Sequence, residues 1–110
     1  MAVSSKVLIP AKLAEIAQTT QYTATGVKAT IDKFTATNTS VSDATLSVNL
    51  VAAGDTAGTG NLIVDTRVIA PGESYTCPEL VGHNLDIGGF ISTASSANVI
   101  TIRASGREIS

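Results

Sequence analysis

Val27-Lys28-Ala29-Thr30-Ile31-Asp32-Lys33-Phe34-Thr35-Ala36-Thr37-Asn38-Thr39-Ser40-Val41-Ser42-Asp43-Ala44-Thr45-Leu46-Ser47-Val48-Asn49-Leu50-Val51 is two apolar alternations separated by a polar cluster. In the second arm Leu46, Val48 and Leu50 alternate with Thr45, Ser47 and Asn49, the period of a half-buried strand. In the first arm Val27, Ala29 and Ile31 share one face, and Phe34 and Ala36 continue on the opposite parity. That slip predicts a bulge near Asp32 and Lys33, where one extra residue bends the strand and returns the apolar side chains to the core face. Asn38 to Asp43 is rich in residues that bond their own backbone and favour turns. The stretch therefore reads as a β-hairpin.

Working outward, Ala52 to Asn61 is a surface loop of small residues with Gly54, Gly58 and Gly60. Leu62 to Ile69 resumes a strand, with Leu62, Val64, Thr66 and Val68 on one parity and Asp65 and Arg67 on the other. Pro71-Gly72 is a turn in which proline presets φ and glycine takes the left-handed position. Ser74 to Cys77 is a short strand ended by Pro78, and Gly82-His83-Asn84 is a further turn. Leu85 and Ile87 precede Gly88-Gly89, where a bend or a close backbone approach is expected. Phe90 and Ile91 then read as buried anchors. Ser95 to Asn98 turns the chain into Val99–Ala104, with Ile100, Ile102 and Ala104 facing one way and Thr101 and Arg103 the other, a second expected hairpin. Before the central stretch, Gln21 to Thr25 is a plausible strand. Lys12 to Gln18 fits a helical turn or an extended arm equally well, and residues 1–6 read as a loose arm.

Seven or eight short strands with turn signals at roughly ten-residue spacing, and no long helix, predict an all-β antiparallel sandwich or jelly-roll-like domain. The expected division is an N-terminal arm or short helix over 1–18 and one sandwich domain over 19–110. A chain of 110 residues has core enough for one domain only.

Charged residues make up 15% of the chain and its net charge is −2, against about 25% charged in an ordinary soluble domain. Thr, Ser and Ala fill outer positions where Lys and Glu usually stand, a composition suited to packing against copies of itself; the plainer alternative is a Thr-rich β domain that tolerates low charge. The balance gives no cationic field for nucleic acid or anionic lipid. The single cysteine, Cys77, excludes an internal disulfide and reads as a buried structural thiol. Val7-Leu8-Ile9 is cut by Pro10, too short for the core of a signal peptide or a membrane span, so a cytoplasmic site of synthesis is expected.

No motif names a reaction. His83 is the only histidine, so a histidine-based metal cluster or histidine pair cannot be built in one chain; it reads as a turn or surface residue. Gly54 to Gly60 lacks the Gly-Lys-Ser/Thr ending of a phosphate loop and no helix pattern follows, and its Asp55-Thr56-Ala57 falls short of the Asp-Thr-Gly of retroviral-type aspartic proteases. A hairpin connection is the better reading. Asp32, Asp43, Asp55, Asp65, Glu73, Glu79 and Asp86 are scattered without the spacing of a calcium loop. Asn38-Thr39-Ser40 fits a glycosylation pattern that matters only in a secretory pathway. Aromatics are 4% with no tryptophan, too few for a platform that stacks sugars or bases. No catalytic, cofactor or metal residue is assigned.

Gln21-Tyr22-Thr23-Ala24, Ile31 to Asn38, Val48-Asn49-Leu50-Val51, Asn61-Leu62-Ile63-Val64, Ile69-Ala70-Pro71-Gly72-Glu73 and the ending Ile102 to Ile109 resemble phrases of small virion β-sandwich proteins of tailed bacteriophages. The resemblance covers residues 20–109 and leaves the segment before Thr19 outside. It implies a structural, non-enzymatic subunit of the particle, assembled in the host cytoplasm. The function expected from it is a capsid decoration or cement protein that stabilises the head. Alternatives are an adaptor at the neck, tail or fibre attachment point and, less favoured, a module that binds a cell surface or glycan. The expected partners are further copies of itself as a homo-oligomer and the major capsid protein or other virion structural proteins, with no nucleic acid, membrane or cofactor.

Overall fold

The computed structural model describes residues 2–110, and along them the strands are dealt between two antiparallel sheets. β1 (Val3–Leu13), β3 (Lys28–Asn38), β6 (Ser74–Tyr75), β7 (Asn84–Leu85) and β9 (Ile100–Ile109) form the larger sheet; β2 (Thr19–Thr23), β4 (Ala44–Val51), β5 (Leu62–Ile69) and β8 (Phe90–Ser95) form the smaller. The orders are β1-β9-β3-β6, with β7 also on β3, and β2-β8-β4-β5. Because β6 and β7 flank the same strand, they act as one interrupted strand, and the described chain has the eight strand positions of a jelly roll. The expected all-β sandwich is the fold of this chain.

Both expected hairpins are corrected. β3 and β4 lie in different sheets, as do β8 and β9, so each connection is an arch that crosses the core. Alternation records which face of a strand is buried and is the same for a hairpin and an arch. What decides is competition for edges: β3 is flanked by β9 on one side and by β6 and β7 on the other, leaving no ladder for β4. The polar cluster still folds on itself. Asn38 is fully buried; its Nδ2 donates to the carbonyls of Ser42 and Ile69 and its Oδ1 accepts from the Ser40 amide and hydroxyl, all at 2.8 to 2.9 Å. The connection between β4 and β5, by contrast, joins two paired neighbours, in line with the hairpin link read for that loop.

The predicted bulge is present. The β3–β9 register shifts between Ile31 and Lys33, and Asp32 turns outward, so that Ala29, Ile31, Phe34 and Ala36 are all buried. A second bulge corrects the reading of β5. Between Leu46↔Arg67 and Val48↔Val64 the strand β5 carries one extra residue, Thr66 takes φ 49°, and its amide bonds the Ser47 hydroxyl. Val68 is consequently exposed and Ile69 buried. The Ala70 to Glu73 turn forms as read, with Gly72 at φ 75° and the Glu73 amide on the Ala70 carbonyl. The close approach expected at Gly88-Gly89 is also found: Gly88 has φ 86° and a Cβ there would lie 2.8 Å from the Ala53 side chain. Of the two expected anchors, Ile91 is buried and Phe90 only partly.

The N-terminal segment is corrected most. Residues 3–13 are a strand, neither a loose arm nor a helix, paired with β9 from Val3↔Ile109 to Leu13↔Thr101. Leu8, Ile9 and Ala14 are buried in the common core, with Phe34, Ile31, Leu46, Ile69, Leu80, Ile91, Ile100 and Ile102. The rest of that core is largely alanine and valine, and each large aliphatic buried contributes about 1.5–3 kcal/mol. β9 is pressed against β3 at Gly106, where a Cβ would stand 2.0 Å from the Thr30 carbonyl oxygen.

A chain starting at Thr19 loses the β9 partner and two large core side chains, each worth about 2–5 kcal/mol against a total near 5–15; it should show no cooperative urea transition by circular dichroism. Gly106→Ala meets backbone that cannot yield cheaply and should lower stability by about 3 kcal/mol or more, read as a fall in the urea midpoint.

Candidate functional site

The residues singled out in the sequence do not converge. His83 sits exposed in the turn before β7 and contributes only backbone: its carbonyl accepts the Ile31 amide and its amide donates to the Leu80 carbonyl. Cys77 is fully buried, as read. Burial foremost, and the nearby Glu79, push its thiol up to about 12, so at neutral pH it stays a protonated, unreactive packing group. The glycine-rich loop is held by Asn61, whose Oδ1 accepts from the Gly58 amide and from Asn49 Nδ2, and whose own Nδ2 donates to the Thr56 carbonyl. The Gly58 amide is therefore taken up within the loop. Among the described residues no three side chains of His, Cys, Asp or Glu come together.

What the fold does assemble is a face. On the side of the larger sheet away from the core, β3 presents Lys28, Lys33, Thr35 and Thr37, and β9 presents Thr101, Arg103, Ser105 and Arg107. Register places them side by side: Thr35 opposite Arg103, Thr37 opposite Thr101 and Lys33 opposite Ser105. A shallow depression of about 300 Å³ runs between Ala11, Lys33, Thr35, Thr101 and Arg103. Arg107 makes a two-pronged bond to Asp32, both contacts 3.0 Å. Four of the chain's seven basic residues thus share this face with one carboxylate, leaving three cations and eight carboxylates elsewhere. The face is threonine-rich and mildly positive on a protein that is negative overall. The outer side of the smaller sheet is partly covered, because Asn49 ties down the 52–61 loop and Gln18 bridges Asn49 and Ser92. Sequence reading separated Arg103 from the core parity of Ile102, but the gathering of the cations requires knowing that β3 and β9 are neighbours.

Two tyrosines clasp the open sides of the sandwich. Tyr22 on β2 donates its hydroxyl to Glu108 on β9 at 2.6 Å, and Lys6 of β1 pairs with the same carboxylate at 3.2 Å. On the opposite side Arg67 of β5 lies 4.1 Å over the ring of Tyr75 on β6, whose hydroxyl donates to Glu79. Each clasp crosses from one sheet to the other. The Tyr22 bond holds the Glu108 carboxyl below its usual range, and the Tyr75 bond does the same for Glu79. Partial burial and the adjoining carboxylate raise both phenols, Tyr75 to about 12 and Tyr22 further.

Depressed carboxyl groups contribute stability that is present above their unfolded value, near 4.5, and is lost as pH falls through the lower folded values. The raised phenols contribute stability that is fully present below their unfolded value near 10 and is lost as pH rises from there through about 12. Tyr22→Phe should cost about 1–3 kcal/mol at pH 7, as for a hydrogen bond to a charged group, and the gap from the parent should narrow at pH 3; urea titrations at both pH values measure it. In comparisons with known proteins, no family model, no curated protein and no solved structure matches this chain.

Proposed function

We propose that this chain is a structural subunit of a tailed-bacteriophage virion, a decoration or cement protein that lies on the head and stabilises it, and that it has no catalytic role. The particle is named by the sequence phrases that resemble such proteins. The observation that carries the docking mode is the exposed outer face of the larger sheet. A partner lying on Thr35, Thr37 and Thr101 meets Lys33 and Arg103 beside them, so an acidic patch suits the face, and the rigid β-branched threonines lose little rotamer freedom on contact. The eight-position jelly roll supports the reading at the level of architecture, since viral capsid domains use it, although lectins do too. The scarcity of aromatic side chains weighs against the glycan-binding alternative. The partners are then the major capsid protein and further copies of the chain, and the location is the virion, assembled in the host cytoplasm.

Quantitative mass spectrometry of purified particles, with the major shell protein as internal standard, tests this. A copy ratio near one, or a simple fraction of it, is expected for decoration. A few copies per particle moves the subunit to a neck, tail or fibre adaptor set by closed ring symmetry, and no copies at all ends the virion reading.

A further inference from the structure

An exposed sheet edge is a template for another strand, and folded proteins blunt their edges by shortness, bulges, charge or proline. Of the four edges of this sandwich, three are blunted. β6 and β7 are two residues each. β2 is five residues with a register shift between Thr20 and Tyr22. β5 carries the bulge at Thr66 and the charges of Asp65 and Arg67. β1 differs along its length. From Val7 onward its register shifts twice and includes Pro10, which has no amide to offer. From Val3 to Val7, however, it pairs with β9 without interruption, Val3↔Ile109 to Val7↔Ser105, and all five residues are exposed. Val3 and Val7 are 57% and 39% exposed, and the one charge, Lys6, is turned to Glu108.

The sequence of that segment is nearly its own mirror: Val3-Ser4-Ser5-Lys6-Val7. We propose that the free edge of β1 pairs antiparallel with the same edge of a second copy about a two-fold axis at Ser5, joining two larger sheets into one. In this register Val3 faces the second copy's Val7, Ser4 faces its Lys6 and Ser5 faces its Ser5. No like charges stand directly opposite, and the two Lys6 side chains, diagonal across the axis, are each paired with Glu108. Ser5 stands beside Arg107 and Val3 beside Ile109, so the valines fall on the outer face and extend the apolar margin that Ile109 begins. Isologous pairing of this kind closes at two copies and hides the one edge left open among the described residues. A contact of five residues a side is small beside the roughly 1,200–2,000 Å² of a stable complex, so the dimer forms with rising concentration, as on a crowded surface.

Ser5→Cys places two thiols directly across the axis, at the roughly 4.5–5.5 Å Cα spacing of opposed residues, within the span of a disulfide; the native Cys77 is buried and gives no background. Under mild oxidation Ser5→Cys should cross-link at least tenfold faster than Val41→Cys, which is 95% exposed and lies off the edge. The register is tested by charge. The double variant Val3→Lys with Val7→Lys sets like charges face to face and should shift sedimentation equilibrium to the monomer. Val3→Lys with Val7→Glu sets opposite charges face to face and should restore the dimer. Equal cross-linking at positions 5 and 41, or no difference between the two double variants, overturns the proposal. It does not rest on the virion reading: a monomer found at decoration stoichiometry removes the pairing alone, and a dimer absent from particles removes only the virion assignment.

Discussion

The strand at the centre of the larger sheet is the last one in the chain. β9 lies between β1 and β3 along most of its length, so neither of those strands has its ladder partner until residues 100–109 are in place. Everything that depends on the larger sheet depends on this closure: the seat of Leu8 and Ile9, the contact of Gly106 with the Thr30 backbone, and the row of cations on the outer face. Contacts between residues a hundred positions apart are costly in loop entropy before they return any burial. A jelly roll of this connectivity is therefore slow to nucleate and cooperative once formed. The buried Asn38 arch, which fixes the crossing from β3 to β4 through local bonds, is the kind of element that can form ahead of the long-range ladder.

The sequence was readable wherever burial sets the pattern and opaque wherever pairing does. The parity slip at Asp32 predicted a real bulge, because a missing alternation in a strand that must bury Ile31 and Phe34 has few other solutions. Pro71-Gly72 was equally plain, since its geometry is local. The two arches read as hairpins because alternation does not encode the neighbour. β5 was misread at Val68 because Thr66 takes a left-handed backbone that its side chain does not announce. Residues 3–7 gave no signal of a strand, being exposed on both faces; only β9 makes them one. For the same reason the parts of the docking face were visible singly, Arg103 opposite Ile102 and Lys33 beside the bulge, while the face itself was not.

A core built from alanine, isoleucine, leucine and valine around one phenylalanine, Phe34, in a chain with no tryptophan, lets two sheets approach closely but leaves the flanks of the sandwich thin. The tyrosine clasps meet that need. Tyr22 with Glu108 and Lys6 closes one flank, and Arg67, Tyr75 and Glu79 close the other. In each, an aromatic ring spans apolar and wet surroundings and its hydroxyl finds a carboxylate. Every buried side-chain nitrogen and oxygen among the described residues has a partner, so the low charge of the chain is matched by a complete polar accounting and not by neglected donors.

Cys77 lies just past β6, in a left-handed backbone at φ 45°, on the least extensively paired flank of the larger sheet. β6 and β7 hold that flank with two residues each, so local opening there needs to break far less than the whole sandwich. The thiol inside is silent while the flank is shut and turns reactive when it parts from its packing. Its modification rate would therefore time the opening of a single edge separately from the melting of the whole.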